Sequence, residues 1–288
     1  MPKFDLQSHS VHSDGALEPA EVVRLGAAAG MELLALTDHD TVAGVAEALD
    51  ASTSASVNVV PAVEISALDG DHQDLHVLGY LLDHEDRRLR ETLAAYRADR
   101  DGRAGRMVVK LEELGYHVDR AMLEARTASG SPVGRPHIAA AVLARPENCE
   151  RLAAEGTSDV SGFIATHLIQ GKDAFTGRTY PSVGEAIEAI HEASGVAVWA
   201  HPFWDVETIP EVLAMVDRFV AAGLDGVEVF YTTHTRAQTE ALHEHCNPRG
   251  LLMTGSADFH GPEHRLFRSF GAFEAFGLEP RLGPIGAP

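Results

Sequence analysis

The chain has 288 residues, of which 45% are hydrophobic, a length that suits one α/β barrel or a barrel with an inserted subdomain. Its formal net charge of −20 argues against a protein that coats long nucleic acid by neutralising phosphates, and no apolar stretch approaches the roughly 20 residues of a membrane-spanning helix. Two cysteines are too few for a disulfide framework, and the first residues do not read as a secretory signal, so we expect a cytoplasmic location.

The first 82 residues alternate predicted strands and helices. A strand at 4–6 is followed by a helix over 19–29, a strand over 32–36, a helix over 41–51 and a strand over 57–63. Strands separated by helical patterns of this length are typical of βα units, which build a parallel sheet.

Residues 84–180 interrupt this alternation. A long arginine-bearing helix over 86–114, shorter helices and a Gly/Pro-punctuated stretch over 129–136 predict an all-helical insert. We therefore divide the chain into a discontinuous barrel domain, residues 1–83 and 181–288, and a helical subdomain over 84–180. Because barrel active sites are built and covered by the loops that follow the strands, we expect the insert to act as a lid or specificity cap rather than as decoration.

The alternation resumes after residue 182. A helix over 183–193, a strand over 196–200, a helix over 209–222, a strand over 226–230, a helix over 236–245 and a strand over 251–254 are predicted. The whole pattern indicates an α/β protein with a helical insertion.

Histidines and carboxylates recur next to the predicted strands. They lie in Asp5-Leu6-Gln7-Ser8-His9, Ser13-Asp14-Gly15, Thr37-Asp38-His39-Asp40, Glu64, His76, His201 and Asp258-Phe259-His260. Imidazole nitrogen and carboxylate oxygen are ligands that suit zinc, manganese and iron. Gln7 and His9, two positions apart on a strand, project to the same face. Such scattered ligands imply one polynuclear metal site at the mouth of a barrel, and hence a metallohydrolase.

In these motifs and their order the chain resembles the PHP (polymerase and histidinol phosphatase) superfamily of metal-dependent phosphoesterases. It is most similar to the branch that acts on small nucleotides such as nucleoside 3',5'-bisphosphates or AMP. Its opening segment resembles the family's Asp-Leu-His-x-His…Ser-Asp-Gly signature, with Gln7 in place of the first histidine. The resemblance implies a distorted, TIM-like (β/α)7 barrel and two or three divalent ions: manganese, iron or zinc, with magnesium as an alternative.

The resemblance also implies how the ligands are shared. A first metal would take Gln7, His9, Glu64 and Asp258, a second Glu64, His76 and His201, and a third Asp14, His39 and His260. Glu64 would bridge two ions, and a bridging hydroxide would be the nucleophile. The catalytic residues would be Glu64, His201, Asp258 and His137. An amide oxygen is a poorer donor than imidazole for zinc or iron, so the first site should favour manganese or magnesium, unless Gln7 only hydrogen-bonds a metal-bound water.

Two acids flank His39. Asp40 immediately precedes a predicted helix, and we expect it to cap that helix. Asp38 is open between a structural role and the orientation of a ligating imidazole.

Other residues are candidates for substrate contact. Gly134-Arg135-Pro136-His137 resembles the Arg-x-His element of the nucleotide-cleaving branch, in which Arg135 would hold phosphate bidentately and His137 would bind phosphate or protonate the leaving alcohol. Lys172 and Arg178 lie in a second basic loop, where a second phosphate site and incidental surface charge are equally compatible. His234 follows a strand and could reach the substrate, and Tyr231 could stack on a base.

We predict a metal-dependent phosphoesterase that hydrolyses a phosphomonoester of a small nucleotide, either a nucleoside 3',5'-bisphosphate or a nucleoside monophosphate. The alternatives are a histidinol-phosphate phosphatase, a 5'→3' exonuclease on short RNA, and a non-catalytic metal-binding module, since a fold does not guarantee activity. The predicted partner is a small phosphorylated nucleotide, with no long nucleic acid and no membrane.

Overall fold

The structure is a computed structural model that describes residues 3–128, 133–177 and 179–287. Its contacts divide the chain into two compact units, Met1–Ala94 with Pro181–Pro288, and Ala95–Tyr180. We call the first the barrel unit and the second the helical unit.

Seven strands form one sheet in chain order. They are β1 (Phe4–Asp5), β2 (Leu33–Leu36), β3 (Asn58–Asp69), β4 (His72–Tyr80), β5 (Val196–Trp199), β6 (Gly226–Tyr231) and β7 (Leu252–Ser256). The chain beyond β1 meets β7 and the residues that follow it: Leu6 N donates to Gly255 O at 3.2 Å, and His9 N to Phe259 O at 2.8 Å. The sheet is therefore a nearly closed barrel, and the predicted (β/α)7 barrel fold is confirmed.

β4 departs from the expected parallel arrangement. It forms an antiparallel hairpin with β3, in which Ser66 lies opposite His76, and it is also antiparallel to β5. The other consecutive strands pair in parallel: β1 with β2, β2 with β3, β5 with β6, and β6 with β7. Because β4 runs in the opposite direction, its first half lies at the edge where the parallel strands end. This reversal brings His76 to that edge from within a strand.

Ten α-helices accompany these strands in the described part of the chain. They are α1 (Pro19–Ala28), α2 (Val45–Ala55), α3 (Arg87–Glu113), α4 (Arg120–Ala128), α5 (Arg135–Leu143), α6 (Cys149–Glu155), α7 (Val160–Phe163), α8 (Val183–Glu192), α9 (Ile209–Ala221) and α10 (Arg236–Cys246). A π-helical turn, Ile164–Leu168, follows α7. Across the residues that the structure covers, no helix is long and apolar enough to span a membrane.

The predicted cap at Asp40 is wrong. Helix α2 begins four residues later than Thr41, at Val45, with Gly44 as its N-cap. Asp40 instead has a positive φ of 53°, and its Oδ1 accepts a hydrogen bond from Ser66 N at 2.9 Å. The carboxylate therefore links the turn after β2 to β3. It accepts from a buried backbone N–H of β3 and does not cap the helix.

Each unit has its own apolar core. In the barrel unit, alternate strand residues fill the interior, among them Leu6, Ala62, Leu78, Tyr80 and Val198, all essentially buried. In the helical unit, α3, α5, α7 and the π-helical turn contribute buried side chains, including Leu111, Ile138, Val142, Phe163 and Leu168. The barrel core is the rigid base from which the polar residues at the strand ends project.

Candidate metal centre

The structure brings the predicted histidine and carboxylate ligands together at the edge where the parallel strands end. One group consists of His9, Asp14, His39 and His260, and another of His39, Glu64 and His76; within each group the ligand atoms lie within 4.8 Å of one another. His39 belongs to both groups, so the two form one continuous cluster.

Glu64 is the centre of this cluster. Its carboxylate is buried in β3, and Oε1 lies 2.7 Å from Nδ1 of His76 and 3.1 Å from Nε2 of His201. The other oxygen, Oε2, lies 3.1 Å from Nε2 of His9 and 3.3 Å from Nδ1 of His39. Each oxygen thus faces two imidazoles, which is the position from which one carboxylate can serve two ions.

The buried atoms of this cluster fit a divalent cation. Nε2 of His9 lies 3.1 Å from both Oε2 of Glu64 and Oδ1 of Asp258. Among the described residues none of these three atoms has an aligned hydrogen-bond partner, although buried polar groups are ordinarily hydrogen-bonded. Nitrogen and oxygen donors that converge without bonding one another are the donor set that zinc, manganese and iron take.

Electrostatics keeps the carboxylates charged. Burial raises the pKa of Glu64, but His39 and His76 outweigh it and hold that pKa well below its usual value. Burial likewise raises the pKa of Asp14, and His39 and His260 bring it well below the usual range. Ionised carboxylates are the form that binds a cation.

Asp38 supports the predicted ligand His9. Its Oδ1 accepts hydrogen bonds from Ser10 N at 2.7 Å and from Ser13 Oγ at 2.6 Å. Because the Ser13 hydroxyl donates its hydrogen bond to Asp38, its oxygen, 3.2 Å from Nδ1 of His9, can accept from that nitrogen. This contact leaves Nε2 of His9 to face Glu64 and Asp258. Of the two roles open for Asp38, the structure therefore shows imidazole orientation, although the imidazole is that of His9 and not of His39.

The backbone at several ligands is in the left-handed region. His201 has a φ of 28° and Asp258 a φ of 55°. Gly15 is required for a different reason: a Cβ on this residue would lie 2.1 Å from the carbonyl oxygen of His9. Such conformations are costly for non-glycine residues and concentrate at functional sites.

Several supporting residues of this site escaped the sequence analysis. Glu228 Oε2 accepts from His201 N at 2.8 Å, and its Oε1 accepts from Ser256 Oγ at 2.6 Å. Burial raises the pKa of Glu228 to about 8. An acid in the middle of the apolar run of β6 was the available signal, because an unpaired buried carboxylate is expensive.

The expectation that Tyr231 stacks on a base is wrong. Tyr231 is 2% exposed, and its hydroxyl donates to Oδ2 of Asp258 at 2.8 Å. Burial raises the pKa of Tyr231 well above its usual value, so the hydroxyl keeps its proton and remains a donor. Tyr231 therefore positions the ligand Asp258.

Gln7, the departure from the family signature, is fully buried beside the cluster's strands. Its Oε1 lies 3.3 Å from Ser256 Oγ, and its Nε2 has no hydrogen-bond partner among the residues described. Ligation of a metal by Gln7 stays a prediction.

The residues predicted to contact substrate are spread over both units. Arg135 is the first residue of α5, and Nδ1 of His137 accepts from Gly134 N at 3.0 Å, which gives His137 a helix-capping role. Lys172 is exposed, and Arg178 lies outside the described residues. In the barrel unit, His234 is buried with Nδ1 3.0 Å from Val229 O, and burial lowers its pKa to about 4. Substrate contact by these residues stays a prediction.

A barrel whose strand ends converge on such a cluster defines the class of metal-dependent hydrolases. The PHP domain model matches residues 5–197, and the chain belongs to the PHP domain family. It is a metal-dependent phosphoesterase of that family, as the sequence motifs predicted.

Relatives in this family carry specific names. The chain is 32% identical over 260 residues to a 5'-3' exoribonuclease from Haemophilus influenzae, covering 90% of each protein. It is 33% identical over 267 residues to a 3',5'-nucleoside bisphosphate phosphatase from Chromobacterium violaceum, covering 91% of this chain and 88% of the relative. A solved structure from Bifidobacterium adolescentis, described as a metal-dependent phosphoesterase, is similar with a TM-score of 0.78 and 29% identity, covering 95% of this chain and 93% of that one.

Proposed function

We propose that the protein hydrolyses a phosphomonoester of a small nucleotide, either a nucleoside 3',5'-bisphosphate or a nucleoside monophosphate. The observation that carries the proposal is the placement of Glu64 among four imidazoles, in a chain that aligns along 91% of its length with a nucleoside bisphosphate phosphatase. A phosphomonoester is a compact dianion, and a cluster of this kind is suited to neutralise it once cations are bound.

We infer that the cluster holds two or three divalent ions: manganese, iron or zinc, with magnesium as an alternative. Such ions supply Lewis acidity, which lowers the pKa of water and offsets the charge of the phosphate. Contacts among the histidines and carboxylates support three sets of ligands. His9, Glu64 and Asp258 would hold one ion, with Gln7 added from the family resemblance; Glu64, His76 and His201 would hold a second; and Asp14, His39 and His260 a third.

Distances within the second and third sets agree with this division. In the second, Nδ1 of His76 lies 3.3 Å from Nε2 of His201, and both face the same oxygen of Glu64. In the third, the two oxygens of Asp14 lie 3.5 Å from His39 and 3.4 Å from His260. Asp14 is also the most exposed of these ligands, with 31% of its side chain accessible, so substrate would enter on its side.

The chain's other polar residues would bind and orient the substrate. We propose that Arg135 holds a phosphate through its planar guanidinium, and that His137 protonates the leaving alcohol or contacts phosphate. Lys172 and Arg178 would serve a second phosphate, and His234 would contact the nucleoside. A bisphosphate has two anionic groups, which is why two basic segments suit it.

A second candidate function is 5'→3' hydrolysis of short RNA. The exoribonuclease relative, which is 32% identical over 90% of this chain, favours it. The net charge of −20 opposes binding of long RNA, whose affinity comes from phosphate neutralisation, so the candidate is restricted to oligonucleotides.

A substrate panel with manganese tests the proposal. Phosphate release would be measured from adenosine 3',5'-bisphosphate, AMP and histidinol phosphate, and mononucleotide release from a short 5'-phosphorylated RNA. We expect the highest kcat/KM for the bisphosphate or for AMP. A higher value for the RNA would establish the second candidate, a higher value for histidinol phosphate would replace both, and no hydrolysis of any substrate would leave a metal-binding module. The Glu64→Gln variant, purified in parallel, controls for contaminating phosphatases.

A further inference from the structure

An exposed aromatic ring stands next to the buried metal ligands. Trp204 is 49% exposed, whereas Trp199, the other tryptophan of the chain, is 1% exposed. Trp204 follows the ligand His201 by three residues, and its backbone N donates to His201 O at 2.9 Å. The backbone of Trp204 therefore belongs to the same turn as a proposed metal ligand.

Trp204 belongs to a series of rings that we call the aromatic wall, formed by Trp204, Tyr231, Phe267 and His264, in which Trp204 and His264 are exposed. The centroid of Trp204 lies 5.6 Å from that of Phe267 and 6.5 Å from that of Tyr231, and His264 stacks on Phe267 at 5.1 Å. Tyr231 and Phe267 are buried, so their edges support the exposed indole without being accessible themselves.

Three rings of the aromatic wall, Tyr231, Phe267 and His264, contact the metal cluster. The hydroxyl of Tyr231 donates to the ligand Asp258 at 2.8 Å, and the ring of Phe267 lies 5.5 Å from the ring of the ligand His260. A single ring, that of Tyr231 or of Phe267, thus lies between the exposed indole and the proposed ligands Asp258 and His260. In a nucleotide, only the sugar separates the base from the phosphate, so a surface that binds the base must lie close to the reacting phosphorus.

An isolated exposed apolar side chain is ordinary on a protein surface and would need no explanation. Trp204 differs because buried aromatic rings support it and because it is anchored to a ligand turn. Stacking on an indole also needs no positive charge, which suits a chain with a net charge of −20.

We propose that Trp204 is a specificity-determining residue that stacks on the base of the nucleotide. This inference rests on the proposed function, because only a nucleotide substrate carries a base. Every base has an aromatic face, so the contact would select nucleotides over sugar phosphates while tolerating different bases.

Intrinsic fluorescence tests the contact without turnover. Adenosine has no phosphoester and is not consumed, so it can be titrated into the metal-loaded protein, with ribose as the matched ligand that lacks a base. We expect adenosine to quench the emission of the exposed indole and ribose to leave it unchanged. In the Trp204→Phe variant only the buried Trp199 emits, and the quenching should disappear.

Kinetics of matched variants provides the second test. Trp204→Ala should raise KM for AMP roughly 10-fold, which corresponds to about 1.4 kcal/mol, with a smaller change in kcat. The KM for ribose 5-phosphate should change far less. Trp204→Phe, which keeps a ring, should recover most of the loss. Leu266→Ala is the surface control, because Leu266 is also 49% exposed but offers no ring.

The outcomes separate this inference from the proposed function. Equal losses for AMP and ribose 5-phosphate in Trp204→Ala, or an unchanged emission with adenosine, would overturn base stacking even if nucleotides are hydrolysed. Quenching by adenosine in a protein that releases phosphate from no nucleotide would support the stacking contact and overturn the phosphatase proposal.

Discussion

Both units of the molecule contain a cluster of histidine and acidic side chains, and the two clusters are built differently. In the helical unit, the Tyr116 hydroxyl hydrogen-bonds Glu155 and lies 2.9 Å from Nε2 of His167, while Nε of Arg151 donates to Glu155 at 2.8 Å. In the barrel unit, Nε2 of His9 meets two carboxylate oxygens at 3.1 Å without an aligned hydrogen bond.

The two clusters differ in whether their polar atoms are hydrogen-bonded to one another. The pairing in the helical unit is typical of a stabilising network, and its absence at Nε2 of His9, among the described residues of the barrel unit, is typical of a site for a ligand. Donors matched to acceptors satisfy one another and leave nothing for a ligand. Donor atoms that converge on a common point are left for a cation. Both clusters contain histidine and acidic residues. They are distinguished by whether the donor and acceptor atoms of each cluster are paired with one another.

The largest effect is expected at Glu64. Glu64→Gln keeps the shape of the side chain and removes the charge that four imidazoles face, so hydrolysis should fall to background and bound metal should drop by more than one ion per protein. His76→Ala, which loses a partner of only one of the two oxygens, should deplete the metal less. Near-native activity of Glu64→Gln would contradict a shared metal centre; metal analysis by mass spectrometry and phosphate release give the answer.

A smaller effect, a loss of metal affinity, is expected from a change at Asp38. This residue is not among those predicted to contact the substrate. Asp38→Asn keeps the size of the side chain but weakens its hold on Ser10 and Ser13, and through Ser13 on His9. Loss of such an orienting partner typically lowers metal affinity by about 10- to 100-fold. Competition with a chromogenic chelator measures this change, and unchanged affinity would show that Ser13 and His9 are held without the carboxylate.

A comparable loss of a different kind is expected at Arg135 in the helical unit. Removal of a charged hydrogen-bonding group costs about 1.5–3 kcal/mol, so Arg135→Ala should lower kcat/KM for phosphorylated nucleotides roughly 10- to 100-fold, mainly through KM. A small chromogenic phosphodiester without a second anchoring group should be spared. If both substrates lose activity equally, Arg135 contributes to catalysis or folding and not to recognition.

Gln7→His should have a modest effect on how tightly the barrel cluster holds zinc. Imidazole is a better donor than an amide for zinc, so the variant should hold more zinc and lose it more slowly to chelator. Zinc content and loss rates identical to those of the parent would place residue 7 outside direct ligation.

The smallest effect on activity is expected from the paired cluster of the helical unit. Glu155→Gln removes the negative charge and one of the two oxygens that accept from Tyr116 and Arg151, at a cost of about 1 kcal/mol that should lower Tm by about 2–4 °C. Metal content and kcat should remain those of the parent. A loss of bound metal in this variant would break the contrast between the two clusters.

Much of the fold follows from local patterns in the sequence. Helices α8 to α10 begin at the predicted residues because Ser182, Thr208 and Thr235 cap them through side-chain oxygens. The β3–β4 hairpin was missed, although Asp69-Gly70 is a turn signal and Gly70 has a φ of 57°. A long apolar run reads equally well as a buried parallel strand, and that interpretation hid the reversal.

That the predicted ligands lie close together could be expected from the sequence, because each of them lies within a strand or in a short motif beside one. The residues that support them could not be predicted in this way. Glu228 holds the turn of His201, and Tyr231 holds Asp258, through contacts between residues 27 positions apart in each case. Such contacts depend on the register of β5, β6 and β7, which no local pattern specifies.

The left-handed backbone at Asp40, His201 and Asp258 has a consequence for how this centre can change. Each residue directly follows a parallel strand or its short extension, and the sharp reversal of the main chain determines where its side chain points. The direction of these side chains thus depends on the path of the main chain as well as on the neighbouring side chains that hold them. A one-residue insertion or deletion after β5 or β7 would misdirect the predicted ligand His201 or Asp258, and one after β2 would break the bond between Asp40 and Ser66 N.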